Sequence, residues 1–139
     1  MNARILIVDD DHDMRRLFGF IFEREGYEVI QASNGEQAMA YALASAPAVI
    51  LLDVMMPDHN GMDICRWLKN NGQTEAVPVI MITAYSHSHS RSEALQAGAV
   101  DLINKPFSPY MLIARVRAVL QRRWQSASDE RPRCSPAKP

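Results

Sequence analysis

The stretch VILLDVMMP, from Val49 to Pro57, is an apolar run with one carboxylate, Asp53, near its middle. A short, continuous apolar run that ends at a turn residue predicts a strand buried on both faces of a sheet. An unpaired, ionised carboxylate costs several kcal/mol in a dry core. Asp53 must therefore have a partner, or it must lie at an open edge of the sheet.

The rest of the chain alternates predicted strands and helices. Apolar or β-branched runs predict strands at 4–8, 27–32, 49–53, 77–83 and 100–104. Helical spacing and capping residues predict helices at 13–25, 33–47, 61–72, 90–99 and 108–124. Apolar strands that alternate with amphipathic helices predict an α/β fold, in which helices cover both faces of a doubly wound parallel sheet.

Length and composition restrict the class of protein. The chain has 139 residues, enough for one ordinary domain, and its net charge of −1 argues against nucleic-acid binding through bulk charge. No apolar run approaches the ~18–20 residues that span a membrane. The N-terminal stretch MNARILIVDDD passes directly into a predicted strand, so we expect a cytoplasmic protein without a signal peptide. Cys65 and Cys134 are expected to be free thiols. We expect a folded domain at 1–124 and a flexible, polar tail or linker at 125–139.

Polar residues end or follow four of the predicted strands. Asp9 and Asp10 follow the first strand, Asp53 ends the third, Thr83 ends the fourth and Lys105 follows the fifth. In a parallel sheet the carboxyl ends of the strands meet at one edge, where ligands bind at the switch point in strand order. We therefore expect these five side chains to converge in one shallow pocket.

This set of residues suits phosphoryl chemistry. Three neighbouring carboxylates repel one another and raise each other's pKa values, and a hard divalent cation such as Mg²⁺ relieves the repulsion. Lys105 and Thr83 are then available for a phosphoryl group. The matching reaction is attack by an Asp carboxylate on phosphorus, which gives an acyl phosphate.

Four motifs occur in order at the predicted strand ends: ILIVDDD, LLDVMMPDHNGMD, IMITAY and NKPF. Together they resemble the response-regulator receiver domain of two-component signalling, in particular the chemotaxis regulators, over residues 3 to about 122. The resemblance implies a flavodoxin-like (βα)5 fold with strand order 2-1-3-4-5. It also implies a cis peptide bond between Lys105 and Pro106.

The resemblance further implies the site roles. Asp53 is the expected phosphoacceptor, and Mg²⁺ is expected to bind Asp10, Asp53, the backbone carbonyl of Met55 and, through water, Asp9. Thr83 resembles the switch hydroxyl and Lys105 the lysine that contacts the phosphoryl group. The implied donor is a sensor histidine kinase or a histidine phosphotransfer protein. A homodimer through helix 4, strand 5 and helix 5 is a further implied partner, whereas direct nucleic-acid or membrane binding is not expected.

Three functional alternatives remain open from the sequence. The chain is a stand-alone receiver or a receiver from a longer regulator with an output domain. An Mg²⁺-dependent phosphohydrolase of the haloacid-dehalogenase type also uses an Asp nucleophile, but Met55 stands where those enzymes have a second Asp. A degenerate receiver that is never phosphorylated is disfavoured by the complete set of site residues. We accordingly expect a signalling protein and not an enzyme.

Several positions depart from the family pattern. Leu102 stands where receivers commonly have Tyr or Phe, so the usual aromatic readout is missing and a response through Tyr85 or the backbone is expected. Met55 and Tyr85 lack a group that orients water, which predicts slow self-dephosphorylation. The four histidines are interpreted as solvated loop residues, although His87 and His89 have the spacing of a metal pair and two others flank the pocket, namely His12 and His59.

Overall fold

The computed structural model describes residues 3–84 and 91–133, and for residues 123–133 it describes the backbone alone. The predictions about Tyr85, His87, His89 and Cys134 lie outside the described residues.

Five strands and five helices alternate along the chain. The strands are β1 (Arg4–Val8), β2 (Glu28–Ala32), β3 (Val49–Asp53), β4 (Val79–Ala84) and β5 (Asp101–Lys105). The helices are α1 (His12–Arg24), α2 (Gly35–Ser45), α3 (Gly61–Lys69), α4 (Arg91–Gln96) and α5 (Pro109–Arg133).

The strands form one parallel sheet in the order β2-β1-β3-β4-β5. Both the doubly wound α/β fold and the predicted strand order are therefore confirmed. Every residue of β3 is buried, because helices cover the sheet on both faces. Strand β3 lies between β1 and β4, which places its carboxyl end near the switch point in strand order.

The two faces of the sheet pack into separate cores, because successive strand residues point to opposite sides. Leu6, Ile50 and Leu52 belong to a core that includes α3 residues such as Leu68. The other core contains neighbouring strand residues together with side chains of α1 and α5; its members include Ile5, Leu51, Ile80, Phe18, Phe22, Leu112 and Val116. Among the described residues, no helix combines the length and apolar character needed to cross a membrane.

Polar caps determine where the helices begin. The sequence leaves Asp11 and Asp13 as alternative caps of α1, and the structure selects Asp11, whose carboxylate accepts hydrogen bonds from the N–H groups of Asp13 and Met14. Asn34, rather than Ser33, caps α2. Such N-caps contribute about 1 kcal/mol each to stability.

Several element boundaries differ from the sequence prediction, and three of these differences have a clear physical reason. Helix α3 ends at Lys69, before Gly72, and the Lys69 ammonium reaches the backbone carbonyls of Glu75 and Val77. Strand β4 begins at Val79, after Pro78, which has no N–H to donate to the sheet.

The third difference concerns helix α5, which continues past Trp124 to Arg133. The polar residues beyond Trp124 lack apolar periodicity, but extending an existing helix requires no new nucleus. The division of the chain into a receiver at 1–124 and a tail at 125–139 stays a prediction.

Candidate functional site

The five predicted site residues lie at the carboxyl edge of the sheet. Asp9 directly follows β1, Asp53 ends β3, Thr83 is the penultimate residue of β4 and Lys105 ends β5. Because all of these strands are parallel, their ends meet at the same edge. Asp53 thus lies at an opening of the core and has charged neighbours, as the sequence requires.

Three carboxylates form the acidic part of the site. Asp9, Asp10 and Asp53 each offer one oxygen atom, and these atoms lie within 4.8 Å of one another. Asp9 and Asp53 are buried, whereas Asp10 is exposed. Clustered carboxylate oxygens are the donors that Mg²⁺ prefers, and a site of this kind leaves room for water and phosphate oxygens. The donor set therefore fits a hard divalent cation.

The ammonium group of Lys105 lies between two of the carboxylates. Its Nζ is 3.3 Å from Oδ2 of Asp9 and 3.6 Å from Oδ2 of Asp53. The side chain is 20 % exposed, so the charge is partly shielded from solvent. One ammonium balances only one of the three carboxylates, and the site retains a negative excess that a bound cation would neutralise.

The pKa of Asp53 is raised to about 6. Burial is the largest cause, and the negative charge of Asp9 adds to it. Lys105 and the N–H of Met55 act in the opposite direction, because both favour the ionised form. A cation bound beside Asp53 would further favour the ionised carboxylate, which is the nucleophilic form.

The loop from β3 to α3 shapes the site around Asp53. The N–H of Met55 donates to Oδ1 of Asp53 at 3.2 Å, and Met55 forms an antiparallel bridge with Asn60. A Cβ at Gly61 would overlap with the carbonyl oxygen of Asp53, so the start of α3 approaches β3 this closely only with glycine. The glycine in HNGMD is the sequence signal for this contact.

The loop from β1 to α1 orients Asp9. Its Oδ1 accepts from the N–H of Asp11 at 2.9 Å, and its backbone carbonyl accepts from Nη1 of Arg15 at 2.8 Å. Arg15 also lies 3.3 Å from Nδ1 of His12. Sequence reasoning missed Arg15, because a partly buried arginine in a helix carries no local signal of a backbone contact.

Thr83 and Leu102 occupy the region between β4 and β5. Thr83 is fully buried, and its hydroxyl has a long contact of 3.5 Å with the carbonyl of Ala84. Leu102 is buried beside Met81 in the sheet register. The Lys105–Pro106 peptide bond is cis, as expected.

A family model described as the response regulator receiver domain matches residues 5–117. This chain belongs to the response regulator receiver domain family. Family membership supports a signalling role for the receiver domain.

Two curated relatives of the receiver domain are named transcriptional regulatory proteins. ResD of Bacillus subtilis is 40% identical over 125 residues, which cover 90% of this chain and 51% of the relative. SrrA of Staphylococcus aureus is 43% identical over 130 residues, which cover 94% of this chain and 52% of the relative. The chain thus spans about half the length of the curated relatives it matches.

Solved structures give the same family likeness. The chemotaxis response regulator CheY4 of Vibrio cholerae has a TM-score of 0.79 and 29% identity, with 86% of this chain and 99% of that chain covered. A CheY-like receiver domain protein from Methanospirillum hungatei has a TM-score of 0.84 and 28% identity, with 91% of this chain and 99% of that chain covered.

The histidines of the receiver domain differ in their surroundings. His12 is exposed beside Arg15, in line with its interpretation as a solvated residue, but it begins helix α1 and does not lie in a loop. His59 is different, because its Nδ1 lies 2.9 Å from Oδ2 of Asp58 and its ring packs against Gly35. His59 is thus a partly exposed loop residue, as expected, and it has in addition a carboxylate partner. Asp58 is its neighbour in the same loop, whereas Gly35 begins α2, and the local sequence does not reveal this contact between loop and helix.

Proposed function

We propose that this receiver domain accepts a phosphoryl group on Asp53, with Mg²⁺ as its cofactor, and changes its interaction surface in response. One arrangement carries the proposal: the oxygens of Asp9, Asp10 and Asp53 lie within 4.8 Å of one another, and Lys105 lies 3.6 Å from Asp53. A nucleophile, a set of cation ligands and a phosphate-binding ammonium are thereby combined in one site.

In this proposal, Asp10, Asp53 and the carbonyl of Met55 bind Mg²⁺, and Asp9 acts through water. The contacts of Asp9 support its indirect role, because Oδ1 is engaged by the N–H of Asp11 and Oδ2 by Lys105. Bound Mg²⁺ supplies neutralisation of the carboxylates and of the phosphoryl oxygens.

Asp53 is held with its two oxygens in different surroundings. Oδ1 accepts the N–H of Met55, whereas Oδ2 faces Lys105, and we expect Oδ2 to attack phosphorus. The new O–P bond replaces the P–N bond of a phosphohistidine, and the departing imidazole takes up a proton. Lys105 then contacts a phosphoryl oxygen. Among the described residues the Thr83 hydroxyl makes a long contact with the carbonyl of Ala84, and we expect it to turn toward the phosphoryl group.

The proposed donor is a sensor histidine kinase or a histidine phosphotransfer protein. Helices α1 and α5 border a groove of about 360 Å³, which supports protein docking on this side. Leu17 is 45% exposed, Phe20 60% and Tyr110 85%, so the groove offers an apolar contact surface.

A homodimer through α4, β5 and α5 is the proposed assembly. Buried Asp101 pairs with Arg91 of α4 at 2.9 Å and with Arg115 of α5, so one carboxylate links the three elements. Leu95 and Met111 are exposed on the same two helices, one helical turn from the two arginines. The exposed apolar side chains surround this charged cluster. A small shift of the cluster would therefore change the shape of the interface.

The remaining parts of the proposal follow the sequence expectations. We infer a cytoplasmic signalling protein with slow self-dephosphorylation and no nucleic-acid binding by this segment. Of the two alternatives that the sequence leaves open, we infer a receiver in a longer regulator with an output domain, because the chain spans about half the length of its relatives. The net charge of −1 supports the inference that this segment does not bind nucleic acid.

Replacement of the nucleophile tests the proposal directly. Asp53→Asn should abolish labelling by acetyl phosphate in Mg²⁺, because an amide oxygen is a far poorer nucleophile than a carboxylate. Phos-tag gels and intact-protein mass measure the label. Asp63→Asn, an exposed carboxylate on α3, is the matched control and should label like the parent. Stoichiometric label on Asp53→Asn would show that another residue is the acceptor.

A further inference from the structure

The loop of residues 55–60, between β3 and α3, is connected to α2 by a contact that the family motifs do not include. Oδ2 of Asp58 accepts a hydrogen bond from the N–H of Gly35 at 3.0 Å and lies 2.9 Å from Nδ1 of His59. The His59 ring packs on the same glycine, since a Cβ at Gly35 would lie 2.5 Å from Nδ1. Two adjacent loop residues therefore hold the first residue of α2.

The base of the same loop belongs to the phosphoacceptor site. Met55 bridges to Asn60, and the N–H of Gly61 donates to the carbonyl of Val54 at 2.7 Å. The N–H of Met55 contacts Asp53. A short loop that is closed at its base and fixed at its tip has little freedom to shift. The position of Asp58 is thereby linked to the orientation of the Met55 peptide.

The charge of Asp58 strengthens this contact. The pKa of Asp58 is lowered, chiefly by the hydrogen bond with His59, so the group is a carboxylate at neutral pH. A carboxylate is also favoured at the N-terminus of a helix, where unpaired N–H groups carry partial positive charge.

We propose that Asp58, supported by His59, is a positioning residue that holds loop 55–60 against α2 and so keeps the Met55 carbonyl in place for Mg²⁺. This inference rests on the proposed function above. The competing explanation is that Asp58 only caps α2. Asn34 already serves as the N-cap, because its side chain accepts from the N–H of Gln37 at 2.8 Å.

Asn34 also provides the matched control. Asn34→Ala removes a hydrogen bond at the same helix end without touching loop 55–60, so it reproduces the loss of a cap alone. Asp58→Ala removes the link between loop and helix, and Asp58→Asn keeps an acceptor for the N–H of Gly35. NMR of the ¹⁵N-labelled full chain measures both amide hydrogen exchange without metal and the Mg²⁺ affinity by titration.

We expect Asp58→Ala to speed amide exchange at both Gly35 and Met55, and to weaken Mg²⁺ binding about tenfold, the lower end for partners of a metal ligand. Asp58→Asn should recover most of both effects. Asn34→Ala should speed exchange at Gln37 and leave Met55 exchange and Mg²⁺ affinity at the parent's values.

Two results would overturn the inference in distinguishable ways. If the parent binds Mg²⁺ and Asp58→Ala binds it equally well, with unchanged exchange at Met55, Asp58 is only a helix cap and the proposed function stands. If the parent does not bind Mg²⁺ at all, both the role of Asp58 and the metal part of the proposed function are wrong.

Discussion

At Asp53, burial and the charge of Asp9 oppose ionisation, whereas the Lys105 ammonium and the Met55 N–H favour it. The balance leaves a pKa of about 6, which is high for a carboxyl group but still allows a nucleophilic carboxylate at neutral pH. Without a bound cation, ionisation of Asp53 therefore lowers the free energy of unfolding. This single residue links the metal, the phosphoryl group and the stability of the fold.

The stability of the parent should depend on pH through Asp53. Its folded pKa of about 6 exceeds the ordinary value of 3.8, so the folded state binds more protons in this window. The free energy of unfolding is therefore highest below the unfolded pKa of 3.8, and it falls as the pH rises through the folded pKa of about 6. Between pH 5 and pH 8, the free energy of unfolding of the parent should fall by about 1 kcal/mol relative to that of Asp53→Asn, which lacks the titrating group.

Urea unfolding of parent and variant at the two pH values, with EDTA present, measures this difference. Equal pH dependence of the two proteins would show that Asp53 does not titrate in this range. Addition of Mg²⁺ at pH 8 should stabilise the parent more than Asp53→Asn, because the cation favours the carboxylate.

The two N-terminal carboxylates should differ in their effect on the metal. Asp10→Ala removes a proposed direct ligand, whereas Asp9→Ala removes a partner that acts through water, at a cost of about tenfold in affinity. We expect Asp10→Ala to weaken Mg²⁺ binding more than Asp9→Ala does. Titration of the Asp53 amide resonance with Mg²⁺ gives the order. Parent-like affinity in both variants would remove these carboxylates from the metal site.

At the scale of elements, the loops after β1 and β3 position the side chains at the strand ends so that they form one site. The Asp11 N–H and the Arg15 side chain fix Asp9, and Gly61 lets α3 begin against the backbone of Asp53. Helix N-caps follow directly in both loops, namely Asp11 for α1 and Asn60 for α3. The same short segments therefore begin helices and hold functional groups, which limits their freedom to move.

Met55 and Tyr85, which follow β3 and β4 in the sequence, should also set the lifetime of the phosphorylated form. Neither Met55 nor Tyr85 offers a carboxylate or amide to orient an attacking water, so decay should take minutes to hours. Met55→Asn combined with Tyr85→Glu should speed hydrolysis about tenfold, which corresponds to roughly 1.4 kcal/mol off the barrier. Loss of the phosphorylated band after donor removal, in Mg²⁺ and in EDTA, measures the rate. A parent that decays within seconds would contradict the argument.

At the scale of the whole molecule, the parallel sheet puts the reactive edge and the α4–β5–α5 surface on the same strand. Lys105 ends β5 at the site, and Asp101 begins β5 within the ion pairs to Arg91 and Arg115. A movement of β5 or of its neighbours at one end thus reaches the other end within a single strand. This gives the proposed phosphorylation a short structural route to the proposed interface.

Phosphorylation should therefore shift the chain toward a dimer. We expect acetyl phosphate with Mg²⁺ to move the mass measured by light scattering from monomer toward twice that value. Arg115→Ala should weaken this shift, because it breaks the pair at the centre of the surface. Arg66→Ala, which breaks an exposed ion pair on α3, is the control and should dimerise like the parent. A monomer under both conditions would refute the proposed assembly.

Much of the fold and of the site could be predicted from the sequence, because these features have local signals. Continuous apolar runs and helical spacing predicted a doubly wound sheet, since they report which face of each element is buried. The polar residues directly after those runs predicted the convergence of Asp9, Asp53 and Lys105, because parallel strands end at one edge.

Only the tertiary structure decided which distant groups meet. Three side chains have partners on other turns, loops or elements. Arg15 donates to the carbonyl of Asp9, Asp58 accepts from the N–H of Gly35, and Asp101 pairs with two arginines. Exposed or single polar residues have no periodicity, so nothing in the local sequence distinguishes them from solvated surface groups. Their partners follow from packing and register, which exist only once the chain has folded.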